Sequence, residues 1–457
     1  MERRDFLKGL GALGGALAFR PLGSLATATP SALSGSRGSR LTSSAGLFLA
    51  YTDLHNHSLI SGDAQGEPDT ALRDIRAGGI DVACMTEHAI SGKSHGAVTC
   101  PGHEQGGCHM VEGINDVDWH TMRTIADAAN SPGAFVSFRA FEWSTPTVGH
   151  LNVWFSERYT DALHEFALIT PKAISEADQL FPPLQPIADL FEQAPDIATM
   201  RFFYEWLSSP PNRTVLGGGN DGIACFNHPG DYGDFEAWRF HEGAAKRVRM
   251  LEAFNTNNYQ QADFFWSGEQ NGLGNTFNGC FNAGWRVGFT GVSDEHSGVY
   301  GRPGMARGGL WVSSLDRDAV RTALATRRSF ATLEPGLRLD ASANGHPMGS
   351  AFAHASGPIV VQLDIARTPD WTGKPLTIEV VGPGSNIPTL LEKIPFVVPA
   401  PDQPPVTFTL NVNAADTKWF FLRITDSARP KHSHSKPPFD QAGGATAYAS
   451  PWFLDAA

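Results

Sequence analysis

Apolar residues along the chain follow two regimes, and the change falls near Pro335. Before it, short apolar runs alternate with stretches of helical spacing. Leu47-Phe48-Leu49-Ala50-Tyr51 reads as a short buried strand, and Ala71 to Gly79 as a helix that stops at glycine. Ile80 to Met85 has the pattern of a strand buried on both faces. The same signal returns at 134–141, 223–226, 250–254 and 286–290, with helices expected around 116–130, 240–247, 260–270 and 316–327. Strands alternating with helices predict an α/β barrel or sheet. Two stretches, 91–115 and 156–220, are long and loop-rich, and such insertions usually sit above an active face.

After Pro335, apolar and polar residues alternate at 359–365, 376–381, 406–412 and 419–424, between turns rich in Pro and Gly. That period of two predicts a small β-sandwich of about a hundred residues. The expected domains are 47–335 and 336–457. Residues 1–28 read as a targeting segment. Arg3-Arg4-Asp5-Phe6-Leu7-Lys8 looks like a twin-arginine export signal, with a Gly/Ala/Leu stretch to Ala18 and a cleavage site at Ala26-Thr27-Ala28. Residues 29–46, rich in Ser, Thr, Ala and Gly, read as a linker. The expectation is a periplasmic or secreted protein handled by the twin-arginine (Tat) export machinery, which carries folded cargo, often already loaded with metal. The apolar run is too short and glycine-rich for a stable membrane anchor.

Composition narrows the partners. The 457 residues are 41% hydrophobic and 18% charged, as in soluble globular proteins, and 48 Gly and 31 Pro point to many turns. Net charge is −12 with no Lys/Arg cluster beyond the N-terminus, which argues against nucleic acid and leaves a small-molecule substrate. The oligomeric state is unknown from sequence. Five cysteines make no disulfide framework. Cys100 and Cys108 flank a Gly-rich loop and could pair after export; the rival reading is a zinc site of Cys100, His103, Cys108 and His109. Cys84, Cys225 and Cys280 lie in apolar runs and read as buried thiols.

The chemistry gathers where the strands of the first regime end. His55 and His57 stand one residue apart after the first strand, so both imidazoles can leave it on one side. Asp63, His88, Glu142, His150, His228, Asp294 and His296 follow later apolar runs in the same way. Functional residues at the carboxyl ends of successive strands are the pattern of an α/β-barrel active site. Glu142, between Phe141 and Trp143, needs a partner charge or a metal to offset its desolvation. Mixed imidazoles and carboxylates suit Zn, Mn or Fe rather than Ca or Mg alone. Arg139, Arg302 and Arg307 are weaker candidates for binding a phosphate, and Glu252 and Asn255 for orienting ligands. His432 and His434 read as residues of a solvated loop.

Asp-Leu-His-Asn-His at 53–57, Thr-Glu-His at 86–88, Phe-Glu-Trp-Ser at 141–144, Asn-His-Pro-Gly at 227–230 and Ser-Asp-Glu-His at 293–296 resemble, in order, the motifs of the PHP (polymerase and histidinol phosphatase) superfamily. The resemblance covers roughly residues 48–335 and implies a distorted seven-stranded (β/α) barrel holding two or three divalent metal ions. It implies that His55, His57, Glu142 and Asp294 hold a first ion. Glu142 would bridge to a second, completed by His150 and His228, and Asp63, His88 and His296 would hold a third. Glu87 stands where the family usually has Asp, and Asp63 falls one residue later than in many relatives. The implied activity is that of a phosphoesterase attacking a small phosphate ester through a metal-bound hydroxide, with Glu142, Asp294 and His228 carrying the catalysis. The alternative on the same scaffold is a carbamate, amide or carboxylic ester hydrolase, as in carbaryl-hydrolase-like members with a C-terminal β-sandwich; Trp143, Trp154 and Trp285 would line its pocket. A non-catalytic binding protein is the third reading, and every ligand position it would have to lack is filled.

Overall fold

A computed structural model of the chain describes residues 43, 45–89, 113–145, 148–160, 162, 195–212, 217–231, 233–257, 262–267, 275–366, 370–439 and 442–456. The twin-arginine signal, nearly all of the linker and the Cys100–Cys108 loop with His103 and His109 lie outside these residues. Most of both predicted insertions lies outside them too.

The fold is α/β with mixed sheets, richer in strands than in helices. The first strand, Phe48–Asp53, pairs in parallel with Val82–Ala83, which pairs in parallel with Val136–Ser137. A second sheet runs through Gly288–Val292, Val248–Asn255, Ile223–Asn227, His150–Trp154, Ala140–Ser144 and His88–Ala89. Within it, His150–Trp154 is antiparallel to both neighbours, while the pairings on either side of it are parallel. The two sheets meet at their ends. The Asp294 amide donates to His55 O at 2.9 Å, the His57 amide to Glu295 O at 3.1 Å, and Asn56 forms a parallel bridge with Glu295.

Helices Pro68–Ala77, Asp116–Ala129, Thr276–Asn282 and Arg317–Ala325 cover the strands. The helix expected at 116–130 begins where its sequence says it should: Asn115 accepts from the amides of Val117 and Asp118, and Asp118 answers as a capping box. Two other expected helices shrink to short turns, at Ala244–Lys246 and Phe264–Trp266. The second follows a strand pair, Ala262–Asp263, because Asp263 accepts from the Phe265 amide and turns the chain. Among the described residues no helix is long and apolar enough to cross a membrane.

Strands the pattern did not predict complete the sheets. Arg307–Val312 lies antiparallel to Phe48–Asp53, and its two glycines hid it. Both are demanded by packing: a Cβ at Gly308 would overlap Thr52 Oγ1, and one at Gly309 the Phe330 ring. Ser329–Thr332 then pairs with Gly444–Asp455. One ten-stranded sheet therefore runs from the first strand into the C-terminal segment. A four-stranded sheet that includes Leu339–Ala343, Ser356–Ile365 and Val406–Asn413 packs against it in the same apolar core.

Phe421 links the two segments. Its ring lies 5.1 Å from Phe289, 6.1 Å from Phe277 and 6.1 Å from Phe281, all in the N-terminal segment. Phe421→Ala is expected to cost roughly 3–5 kcal/mol, the range for a fully buried aromatic. Because the seam is shared, both segments should still unfold in one transition, as read by calorimetry beside near-ultraviolet dichroism.

Candidate metal centre

Register places the cluster. His88 lies beside Glu142 in a parallel pair, Ser144 faces His150 across an antiparallel one, and His150 faces Asn227 across the next. His228 and Asp294 come just after their strands, at φ 22° and 50°. Both are non-glycine residues in the left-handed region, a strain that persists only where the surroundings over-determine it.

Glu142 is the hub, and it is fully buried. Its Oε1 lies 3.2 Å from His55 Nε2, 3.4 Å from His150 Nδ1 and 3.3 Å from His228 Nε2. Its Oε2 lies 2.7 Å from His88 Nδ1 and 3.7 Å from His57 Nε2. Asp294 Oδ1 sits 3.2 Å from His55 Nε2, 3.4 Å from His57 Nε2 and 3.5 Å from His296 Nδ1. Asp63 closes the outer side, with Oδ2 3.2 Å from His88 Nε2 and 3.7 Å from His296 Nε2. The structure thus brings together all nine expected residues: His55, His57, Asp63, His88, Glu142, His150, His228, Asp294 and His296. Its donor atoms form three groups, His57/His88/His296, His55/His57/Asp294 and His55/Glu142/His228, each within 4.8 Å.

Hydrogen bonds at the back of the rings decide what faces inward. His55 Nδ1 donates to Glu252 Oε1 at 2.7 Å, so when the ring is neutral its lone pair sits on Nε2. Ser61 Oγ gives its only proton to Glu87 Oε2 and must accept from His57 Nδ1 at 2.9 Å, so His57 also presents a bare Nε2. These two nitrogens are 3.0 Å apart, beside Asp294 Oδ1, which has no hydrogen-bond donor among the described residues. Lone pairs and a carboxylate oxygen crowded together repel one another unless a proton or a metal ion stands among them. His150 Nε2 donates to Thr145 O at 3.0 Å, and His296 Nδ1 to Asp294 O at 2.9 Å, which turns two more bare nitrogens inward. Imidazoles mixed with carboxylate oxygens are a donor set compatible with divalent metal ions.

Without a cation the cluster must take up protons. Burial opposes the charged form of His55, but the carboxylates of Asp294, Glu252 and Glu142 outweigh it and hold that pKa well above the ordinary value. His57 goes the other way, pushed down to about 3 by burial and by His88 and His296 alongside it. Burial alone would raise Glu142, yet His150, His55 and His88 hold its carboxyl well below the usual range. Burial likewise works against ionised Asp294, and the neighbouring histidines lower it in the same way.

The supports were only partly anticipated. Glu252 carries more than expected: besides His55 it accepts from the His228 amide at 2.7 Å and from Asn255 at 3.3 Å. Asn255 and Asn257 donate to Asp294 Oδ2 at 3.0 and 3.2 Å, which turns Oδ1 toward the histidines. Glu87 faces away and accepts from Ser58 and Ser61. Ser61, Asn227 and Asn257 were missed, because a lone polar residue in a loop carries no periodic signal. The three candidate phosphate arginines are engaged elsewhere: Arg139 with carbonyls of Trp119, Ser156 and Glu157, Arg302 with Glu295, and Arg307 buried in the field of Asp53.

No family model matches the chain, and no curated protein matches it. Among solved structures, a two-domain protein from Bacteroides vulgatus, described as containing a predicted PHP-like metal-dependent phosphoesterase, is similar over 90% of this chain and 97% of its own. The TM-score is 0.39 and the sequence identity 12%.

The proton held at His228 sets a pH dependence. Burial opposes its charged form, but the hydrogen bond to Glu142 wins and raises it from 6.5 to about 8. The resulting stabilisation of the metal-free fold is fully present below pH 6.5 and is lost as pH rises through about 8. A metal competes with that proton, so affinity for Zn or Mn should climb over the same interval, with proton release on binding measurable by calorimetry in buffers of different ionisation enthalpy. Glu142→Gln, which replaces the buried anion at the hub by a neutral amide, should weaken metal binding in the same titrations.

Proposed function

We propose that the chain is a metal-dependent hydrolase of the PHP type, acting on a small phosphate ester at a site for two or three ions of Zn, Mn or Fe. One observation carries this reading: His55 Nε2 and His57 Nε2, 3.0 Å apart, lie 3.2 and 3.4 Å from Asp294 Oδ1, three donor atoms converging on one point. The seven strand runs that begin at residues 48, 82, 136, 150, 223, 248 and 288 are read as a distorted ring with this cluster at one end. Export by the twin-arginine pathway to the periplasm belongs to the same proposal and rests on residues 1–28.

His55, His57, Glu142 and Asp294 would hold one ion, and His150 and His228 with Glu142 a second. Asp63, His88 and His296 would hold a third. Ions bound there supply a water acidic enough to ionise near neutral pH and an electrostatic clamp for the oxygens of an ester. The protein's own part is placement and proton handling. Glu252 fixes His55 through its ring and His228 through its backbone, so both donors keep their direction as charge builds. Asp294, whose side chain is 5% exposed, is the proposed proton acceptor within the cluster. Access is from the side of Asp63, His296 and His88, whose side chains are 33%, 14% and 11% exposed.

The reading as a phosphoesterase rests on the outer group of donors, Asp63, His88 and His296, where ions at the mouth would hold the oxygens of an anionic ester. The carbamate reading loses its structural support, since Trp143, Trp154 and Trp285 are buried in the core. Trp143 stacks on Phe203, and the indoles of Trp154 and Trp285 donate to Leu54 O and Trp238 O.

The test is to purify the exported protein, count metals per chain, and assay phosphate mono- and diesters beside aryl carbamates. The expected result is at least two ions per chain and phosphate release that chelation abolishes, with Asp294→Asn slower on the order of 100-fold or more. Fewer than two ions under replete conditions, or turnover of carbamates alone, would contradict the proposal. Metal binding without turnover of any ester would point to a binding protein.

A further inference from the structure

Behind the metal cluster lies a buried ionic network that the proposed chemistry does not use. Arg423, on the strand Trp419–Asp426, is 1% exposed. Its Nη1 donates to Glu379 Oε2 at 2.5 Å and its Nε to the Tyr448 hydroxyl at 3.1 Å. The Tyr448 hydroxyl in turn donates a hydrogen bond to Asp263 Oδ1 at 2.7 Å, and Arg423 Nη2 stands 3.9 Å from Asp263 Oδ2. The rings of Phe265 and Trp266 cover the guanidinium at 5.3 and 5.7 Å. Arg423, Glu379 and Tyr448 belong to the C-terminal segment, while Asp263 belongs to the N-terminal one. Burying such charges is expensive, and a buried polar network commonly fixes geometry rather than adding stability.

What Asp263 holds is the informative part. The two-residue strand Ala262–Asp263 pairs with Phe254 and Asn255, the end of the strand Val248–Asn255. Asn255 is the residue that donates to Asp294 Oδ2 at 3.0 Å, and its own Oδ1 accepts from the Asn257 amide at 2.8 Å. On its other side the Asp263 segment turns through Phe264–Trp266 to Ser267, whose hydroxyl donates to Pro229 O at 2.5 Å, next to His228. The segment 262–267 is therefore a bracket. One arm supports the asparagine that aims Asp294, the other the backbone of His228, and Tyr448 and Arg423 fasten its middle.

We propose that Tyr448 and Arg423 are positioning residues for the metal centre, so that the C-terminal segment sets the geometry of the Asp294 and His228 ligands through Asp263. This rests on the metal-site reading above. Tyr448→Phe removes one oxygen and leaves the ring, cutting the hydrogen-bonded route from Arg423 to Asp263 and leaving only the 3.9 Å ion pair, with little loss of packing. Arg423→Lys keeps a charge but loses the planar fork that meets its partners together.

The experiment compares Co(II) binding and the visible absorption of the Co(II)-loaded full chain in wild type, Tyr448→Phe, Arg423→Lys and Arg338→Met. Arg338 is the control, because it too is buried and its ion pair with the half-buried Asp364 (2.8 Å) lies off this route. The expected result is affinity weaker by about 10–100-fold in Tyr448→Phe, the usual cost of losing an outer hydrogen-bonding support, with an altered ligand-field spectrum. Arg423→Lys should shift the spectrum in the same direction, and Arg338→Met should lose stability with the spectrum unchanged. A folded Tyr448→Phe protein with wild-type affinity and spectrum would overturn this proposal alone. Equal spectral changes in Arg338→Met would overturn it too, by showing a general loosening. A wild-type chain that takes up no Co(II) would overturn the metal reading and this proposal with it.

Discussion

The carboxylate of Glu142 has no access to water, and the surrounding structure is arranged around that fact. Imidazoles of His55, His57, His88, His150 and His228 crowd its two oxygens at 2.7–3.7 Å. A buried anion requires compensating positive charge, which protons on His55, His88 and His228 supply in the metal-free protein, while the bonds behind His57 and His150 leave lone pairs facing it. A divalent cation reconciles the two. The same demand explains why Asp294 and His228 accept left-handed backbone, since each must bring a donor to one point from the end of a different strand.

Sheet register converts that requirement into sequence. A strand pair sets side chains opposite one another within a few ångströms, so His88 beside Glu142, and Ser144, His150 and Asn227 in one row, are consequences of pairing and need no special loops. The antiparallel strand His150–Trp154 is what lets this row extend. It carries His150 and Asn152 on one face and Leu151 and Val153 in the core, the alternation expected of a strand that serves both a site and a packing layer. Its continuation into the C-terminal sheets comes from elsewhere, through Arg307–Val312 and Ser329–Thr332.

The site was more legible in the sequence than the fold. Histidines and acids just after apolar runs stand out because such residues are costly where they lie, and each of the nine singled out falls within the cluster. The α/β character and the capped helix at Asp116–Ala129 were readable from period and caps. Strands 307–312 and 150–154 were not. Gly308 and Gly309 lower β propensity for reasons visible only when Thr52 and Phe330 are seen against them, and His150 and Asn152 look like loop residues until the pocket they face is known. The strand Thr389–Val397 was obscured by Lys393 and Pro395, residues suited to a sheet edge, where it lies. Asn255, Asn257 and Ser61 act through single hydrogen bonds over long separations, and no local pattern encodes those.

The central claim is that these side chains are gathered by metal ions. X-ray diffraction from crystals of the metal-replete protein, recorded above and below the absorption edges of Zn, Mn and Fe, tests it most directly. The account predicts anomalous peaks between His55 Nε2, His57 Nε2 and Asp294 Oδ1 and between Glu142 Oε1 and His228 Nε2, at the roughly 2.0–2.2 Å ligand distances of such ions. Density without any anomalous peak in this cluster, with the same side chains bridged by water or by protons alone, would contradict it.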